Sequence, residues 1–589
     1  SAMRLVSRVG VVAAAVVCSC THASANAVTR KSSTASPASL SEISPDVCVA
    51  RANAPQIFNS VNNAMRQWGS SVHHNGMSLF LVTVPAGNLF YHGCGTPDRR
   101  AGFEWLAFEP EHAVLFGGSR EPWSGHDGNG GDGRPPPPAP PSPNAQFVMA
   151  SEEPPPSEPP QRPPFPGRPT AGRRGYFHTY KAERDLRILY VDGQAAAKGP
   201  MGTLDTQDLV LLGLKNNPMD GMMGEMTRAT MLCNLTKTEW AGAKIDGILR
   251  MEAGFEIIYC DFAAGGGLDL VSVVGSPFKN ETGQAEETRR FLPPSGPPDE
   301  GENREASEPG PPPPDYPGPG GPGGPGGPWR DALSMEWIRA VTQRYHGFEP
   351  ERFDVDFSSM VSAFWYPLNR TNPDVRRSEL PRLVNASEDA LLAMSGRVRE
   401  VLHDRDATKP SMHWQAVSDR VVSSFGPRLE AMAGESSTAA AMAWQINSLI
   451  NPFINYGVRV DRNESVSHCA SRHLARPLEL QQHWTKEDHL VFAAFEVVGH
   501  HICDTLFDLR TLSDKSSEDD VLAAKTTARN LMKWLGWARF RGCGGQSCGD
   551  PERICFIPMF PAGGEDDHFH PRCKTIDEIG HGYFSRGIW

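Results

Sequence analysis

Leu89-Phe90-Tyr91-His92-Gly93-Cys94-Gly95-Thr96 is the stretch on which the reading of the first half turns. Aromatic and branched apolar residues run into a His-Gly pair, and small residues then make a turn, the pattern of a strand that ends abruptly. Similar short runs lie outward from it at 78–84, 103–108, 186–191 and 255–262. A helix is predicted before them over 54–68, where Ile57, Val61, Ala64 and Met65 recur at helical spacing. Asn53 is placed to cap it, and Pro55 fits a first turn. Residues 48–280 therefore read as an α+β module.

The texture changes further on. Two low-complexity stretches, at 122–174 and 281–330, are crowded with proline and glycine. Proline lacks the backbone donor and glycine costs entropy, so neither stretch builds a helix or an inner strand. The first reads as an insertion in the α+β module and the second as a linker. Beyond the linker, apolar residues recur at three and four over 331–345, 388–403, 413–432, 439–450, 486–510 and 517–537. This predicts a mainly α-helical module over 331–540, followed by a cysteine-rich tail over 541–589.

Charge and the N-terminus narrow the setting. The 589 residues carry a net charge of −12. A nucleic-acid or anionic-membrane binder needs a basic surface, so neither partner is expected. Arg4 and Arg8 precede an apolar stretch at 9–17, and Ala23-Ser24-Ala25 closes it. This is the pattern of a cleaved secretory signal over 3–25, with a mature start near Asn26. A secreted, extracellular protein follows as the expectation. Ten cysteines lie beyond that point, at 48, 94, 233, 260, 469, 503, 543, 548, 555 and 573. Their even number fits up to five disulfides. Cys543, Cys548, Cys555 and Cys573 are close enough to pair locally, or to hold zinc with His568 and His570. No metal is favoured overall. Sequons at Asn234, Asn280, Asn369, Asn385 and Asn463 fit a glycoprotein.

The order of motifs in the first half resembles the ADP-ribosyltransferase fold of the poly(ADP-ribose) polymerase and diphtheria-toxin type. The resemblance rests on the strand ending in His92-Gly93, on Gly102-Phe103-Glu104-Trp105-Leu106-Ala107-Phe108, on Glu111 to Gly117, and on Phe255-Glu256-Ile257-Ile258-Tyr259. It covers about a third of the chain. Carried over, it implies that His92 and Gly93 grip the nicotinamide-ribose side of NAD. Trp105 and Phe116 fall where that family stacks aromatics on the nicotinamide. Glu256 falls at the family's catalytic glutamate, with His92 as its helper. A carboxylate there would stabilise the oxocarbenium-like ribose. Trp105 replaces the family's tyrosine, and Cys94 stands where serine or threonine is usual. What the resemblance implies is a secreted enzyme consuming NAD, as transferase to a protein acceptor or as NAD glycohydrolase.

Two other readings stand beside it. Glu104, Glu109 and Glu111 lie near one strand end, Glu252, Glu256 and Asp261 near another, and Asp205 and Asp208 flank Gln207. Paired carboxylates across a cleft would make a secreted carbohydrate-active hydrolase. The last reading is a non-catalytic secreted interaction glycoprotein. Gly265-Gly266-Gly267 lacks the Gly-Lys-Ser/Thr ending of a phosphate loop and reads as a turn.

Overall fold

The computed structural model describes residues 43–114, 116, 175–216, 218, 224–275, 332–345, 352–406, 409–514, 517–543, 548–580 and 582–584. The signal segment 3–25, the whole 122–174 insertion, the 281–330 linker and the sequon at Asn280 lie outside them.

Nine strands among the described residues form one mixed sheet. They are β1 (Asn75–Val84), β2 (Leu89–Cys94), β3 (Glu104–Ala107), β4 (Tyr176–Ala182), β5 (Leu186–Gly193), β6 (Gly247–Glu252), β7 (Gly254–Tyr259), β8 (Leu268–Gly275) and β9 (Asp354–Ser362). Their spatial order is β8-β4-β2-β3-β7-β6-β5-β1-β9. Only β5 and β6 run parallel. β6 and β7 are buried along their whole length, because helices and loops cover both faces at the centre. The hairpin joining them turns at Gly254, whose φ of 83° suits a residue without Cβ.

The second half supplies helices where the periodicity places them: Glu388–Asp404, Trp414–Ala433, Ala439–Ile450, Lys486–Ser513 and Glu518–Leu535. Their starts are fixed by side-chain caps. Ser387 accepts from the Ala390 N–H, Ser517 from Asp520, and Thr485 forms a reciprocal box with Asp488. The Lys486–Ser513 helix is long and apolar enough to cross a membrane by length and composition. Val491, Phe495, Val498, Ile502 and Leu506 are buried in the protein core, which accounts for its apolar character.

The linker does not separate two bodies. β9 follows it, yet pairs with β1 at the edge of the first-half sheet. Its alternation of Val355 and Phe357 with Asp354, Asp356 and Ser358 is a strand signal set inside a stretch read as helical. The helix Ala54–Asn63 buries nine residues, too many for a helix covered on one side. Phe58 accordingly packs on Phe495 and Trp537 of the helical half, at ring separations of 4.7 and 5.7 Å. One contiguous core therefore runs through both halves.

Four disulfides occur among the described residues. Cys233–Cys260 ties the helix Glu225–Lys237 to the end of β7, and Cys469–Cys503 ties two helices. Cys543–Cys555 and Cys548–Cys573 staple the tail locally. All four tail sulfurs are consumed in these bonds, so the alternative zinc set with His568 and His570 does not form. His570 is exposed and binds Asp566 instead.

The β1–β5 ladder shifts register between Asn75 and Leu79. Asp192 fills the break: its carboxylate accepts the Ser78 N–H at 2.8 Å. A Cβ on Gly76 would lie 1.8 Å from the Asp192 carbonyl oxygen, so only glycine passes here. Burial pushes the Asp192 carboxyl up from 3.8 to about 7, against the hydrogen bonds it accepts. Between those values the folded chain holds a proton that the unfolded chain releases. The contribution is complete below pH 3.8 and is lost as pH rises through about 7. Asp192→Asn is expected to remove a slope of at most about 1.4 kcal/mol per pH unit. Urea midpoints of both proteins from pH 4 to 8 check this, and parallel curves would refute it.

Candidate active site

Where the β6–β7 hairpin crosses the middle of the sheet, it carries Arg250, Glu252 and Glu256. Strand alternation puts Arg250 and Glu252 on one face, and Arg250 pairs across the ladder with Glu256. Three charges thus project from one face of strands that are otherwise mostly apolar. Gln67 clamps the hairpin tip, donating to the Glu252 carbonyl and accepting from the Gly254 N–H.

Other elements converge on this face. Lys198, in the loop after β5, donates to Glu252 at 2.7 Å and lies 3.6 Å from Glu256. Arg250 donates to Glu225, the first residue of its helix, to Glu256, and to the Gln207 side-chain oxygen. Arg228 grips Asp208 with two nitrogens and also reaches Glu225. His112, on the short helix Pro110–Val114, meets Glu252 through Nε2 at 3.1 Å. Its ring stacks on Trp337 at 4.6 Å and is 5.7 Å from the Phe116 ring. Phe116 is 57% exposed, so this aromatic run leads from the surface to the buried carboxylates.

Burying so many charges is costly unless each is paired. Here the pairing drives the two central carboxylates apart. Burial pushes Glu256 up, with the Glu252 and Glu225 carboxylates adding to it and Lys198 and Arg250 opposing. Burial acts on Glu252 too, but Lys198 and the His112 hydrogen bond outweigh it and hold the group below its ordinary value. One ligating atom each of His112, Glu252 and Glu256 lies within 4.8 Å of the others. The Lys198 ammonium already contributes the positive charge that a metal would bring to that carboxylate pair.

The residues singled out in the sequence divide between two places. Glu256 stands in the charged centre, and Phe116 touches it through His112. Trp105 shares the Glu256 face but pairs with Ile258, two residues along, or about 7 Å. His92 is on the other face. Tyr91 pairs with Ala107 and Ala107 with Glu256, so Tyr91 projects with Glu256 and His92 projects away. The His92 ring lies against Phe262 and His178, and Gly93 pairs with Phe177 of β4. His92 and Glu256 cannot flank one ribose, because they project from opposite faces and the sheet stands between their side chains.

Sequence reading missed Lys198, Arg250, Glu225 and His112. A signal for part of this was present. Arg250 and Glu252 sit at period two among Leu249, Met251 and Ile248, and mark a charged face on a strand with no solvent side.

Residues 47–298 match the protein family described as the YPL277C N-terminal domain. Two Saccharomyces cerevisiae proteins are similar to the chain. The uncharacterized protein YOR389W is 27% identical over 552 residues, which is 86% of this chain and 82% of that one. The uncharacterized protein YPL277C is 32% identical over 230 residues, 38% of this chain and 43% of that one. No solved structure matches. The family match spans His112, Lys198, Glu225, Arg250, Glu252 and Glu256, so the similarity takes in the whole charged centre.

Proposed function

We propose that the protein is a secreted hydrolase of glycosidic bonds that works with retention, with Glu252 as nucleophile and Glu256 as acid and base. The Glu252 carboxylate attacks the anomeric carbon while Glu256 gives its proton to the departing oxygen. A water molecule, losing its proton to Glu256, then cleaves the glycosyl ester and frees Glu252. The observation that carries this reading is the close carboxylate pair whose proton affinities are driven apart. Retaining enzymes hold two carboxyl groups about 5–5.5 Å apart, one ionised and one protonated. Lys198 holds Glu252 towards its ionised form, and burial pushes Glu256 towards its protonated form against Lys198 and Arg250. Phe116 offers a flat apolar face of the kind that stacks on a sugar ring.

An extracellular setting is part of the proposal. It is supported by the four disulfides, and by Asn234, Asn369, Asn385 and Asn463, which are all exposed. The NAD-consuming reading needs His92 and Glu256 on one wall, and they occupy two. Of the resemblance to ADP-ribosyltransferases, Glu256 keeps a place suited to catalysis.

The test is a panel of 2-deoxy-2-fluoroglycosyl fluorides, which glycosylate the nucleophile of a retaining enzyme with loss of fluoride and stay attached. Mass mapping is expected to find one sugar on Glu252. No label across the panel, or a label on another residue, would overturn the assignment. Nicotinamide release from NAD, run in parallel, is expected to be nil.

A further inference from the structure

Beside the start of β1, away from the carboxylate pair, histidines are packed under the C-terminal tail. His74 is fully buried, and its ring lies 5.5 Å from that of His568, which is fully buried too. Neighbouring hydrogen bonds fix where the proton sits on His74. The Asn75 amide nitrogen donates to the carbonyl oxygens of Met201 and Pro381, at 2.9 and 3.0 Å. The Asn75 side-chain oxygen is therefore the atom that lies 2.7 Å from His74 Nδ1, and it can only accept. Nδ1 carries the proton, and Nε2 accepts from the Tyr583 hydroxyl at 2.9 Å. His568 stacks on Tyr583 at 5.2 Å, and its Nε2 accepts from Arg541 at 3.1 Å. Both rings are neutral in this arrangement.

The same contact holds the tail against the loop that carries Lys198. Phe560, Tyr583 and Phe584 form a buried cluster with Ala197 and Met201, which flank that lysine. The Lys198 ammonium is 5.7 Å from the centre of the Phe560 ring. Gln194 donates to the Pro558 carbonyl and accepts from the Phe560 N–H, both at 3.0 Å. A Cβ on Gly199 would stand 2.1 Å from the Phe584 carbonyl oxygen, so the two backbones touch. Both tail disulfides close within the tail, so it can lift as one body.

We propose that residues 557–580, with Tyr583 and Phe584, are an acid-released latch on the Lys198 loop (194–203): a proton taken up by His74, and a second by His568, breaks the hold. A proton on His74 Nε2 faces the Tyr583 hydroxyl, whose own proton then loses its acceptor. A proton on His568 Nε2 faces the Arg541 guanidinium. Arg377, over the Tyr583 ring at 5.6 Å, and His73 also disfavour charge on the pair. Against them stands Glu379, 3.9 Å from His568 Nε2. Asp374 and Glu565 bind Arg377, and Asp567 binds Lys574. Burial is the largest cause holding His74 and His568 below the ordinary 6.5, and it takes His73 down to about 4. In the open latch the rings meet water and titrate near about 6.5. The latch is therefore shut above that pH and loosens as pH falls below it. This holds whichever reaction the charged centre performs.

Hydrogen exchange of the full-length protein with its disulfides intact, corrected for the intrinsic effect of pH, reads the opening. Between pH 7.5 and 4.5, protection over 194–203 and 556–563 is expected to fall on the order of 100-fold, the effect of one histidine freed to charge. Residues 247–259 in the middle of the sheet should keep their protection. His74→Gln should flatten the dependence, whether its latch is shut or already open at pH 7.5. His568→Gln, whose oxygen still accepts from Arg541, should reduce it. His500→Gln, exposed on the Lys486–Ser513 helix, should behave as wild type. The wild-type and His568→Gln profiles decide the matter if His74→Gln fails to fold. Protection over 194–203 that does not change with pH, an undiminished dependence in His74→Gln or His568→Gln, or simultaneous loss over 247–259 would overturn the latch.

Discussion

Glu256→Gln is expected to slow cleavage of a glycoside with an alkyl leaving group by roughly 10²–10⁴-fold, the usual worth of a positioned acid. A dinitrophenyl glycoside leaves without a proton, so its glycosylation step should be nearly untouched. Glu252→Gln should remove turnover of both, because the nucleophile is needed whatever departs. The reason lies in the surroundings of the two groups. Glu252 is held ionised by Lys198 at 2.7 Å, while burial favours the protonated form of Glu256. The measurement is kcat/KM for both substrates with wild type and both variants. Equal losses on the two substrates for Glu256→Gln would refute its part as the acid.

Arg250→Leu should cost about 3–5 kcal/mol of stability, the usual effect of leaving a buried charge without its partner. Arg250 is fully buried, and it is the cation shared by Glu225 and Glu256. Leucine leaves those two carboxylates facing each other, with Lys198 as the remaining cation near Glu256. Adding Glu225→Gln should recover part of the loss, because the two sites share one network and their effects do not add. Urea unfolding of the single and double variants reads this out. A loss under about 1 kcal/mol would place Arg250 among ordinary surface ion pairs.

Regular elements with a clean period were legible in the sequence. The helix predicted over 439–450 occurs as Ala439–Ile450, and that over 388–403 as Glu388–Asp404. The strands at 78–84, 89–92, 103–108, 186–191 and 255–262 all appear within a few residues of their expected bounds. β9 carried a local strand signal, but its pairing with β1 was hidden, because local pattern carries no information about so distant a partner. The candidate site was legible only in part. Glu252 and Glu256 could be named as carboxylates close together in the sequence, though they stand on the two strands of the β6–β7 hairpin. Lys198 could not, because it comes from an irregular loop whose course is set by Gln194, which bonds to Ser71 and to the 558–560 segment. His92 was read with Glu256 because the resemblance to ADP-ribosyltransferases places both at one nicotinamide-ribose site. The face each one projects to depends on register across three strands, and register is a tertiary fact.

The edge strand has a consequence for how the chain reaches this state. Ser78 and Ser362 share a hydrogen bond across 284 residues of sequence. During synthesis, β1 leaves the ribosome long before its outer neighbour exists. Contacts this distant slow folding, since the intervening chain must be brought round before they form. In that interval β1 offers an open row of backbone donors and acceptors, which is where a half-made chain is exposed to pairing with another copy. The exposure of β1 to such pairing therefore belongs to the protein's biogenesis, and ends when residues 354–362 arrive.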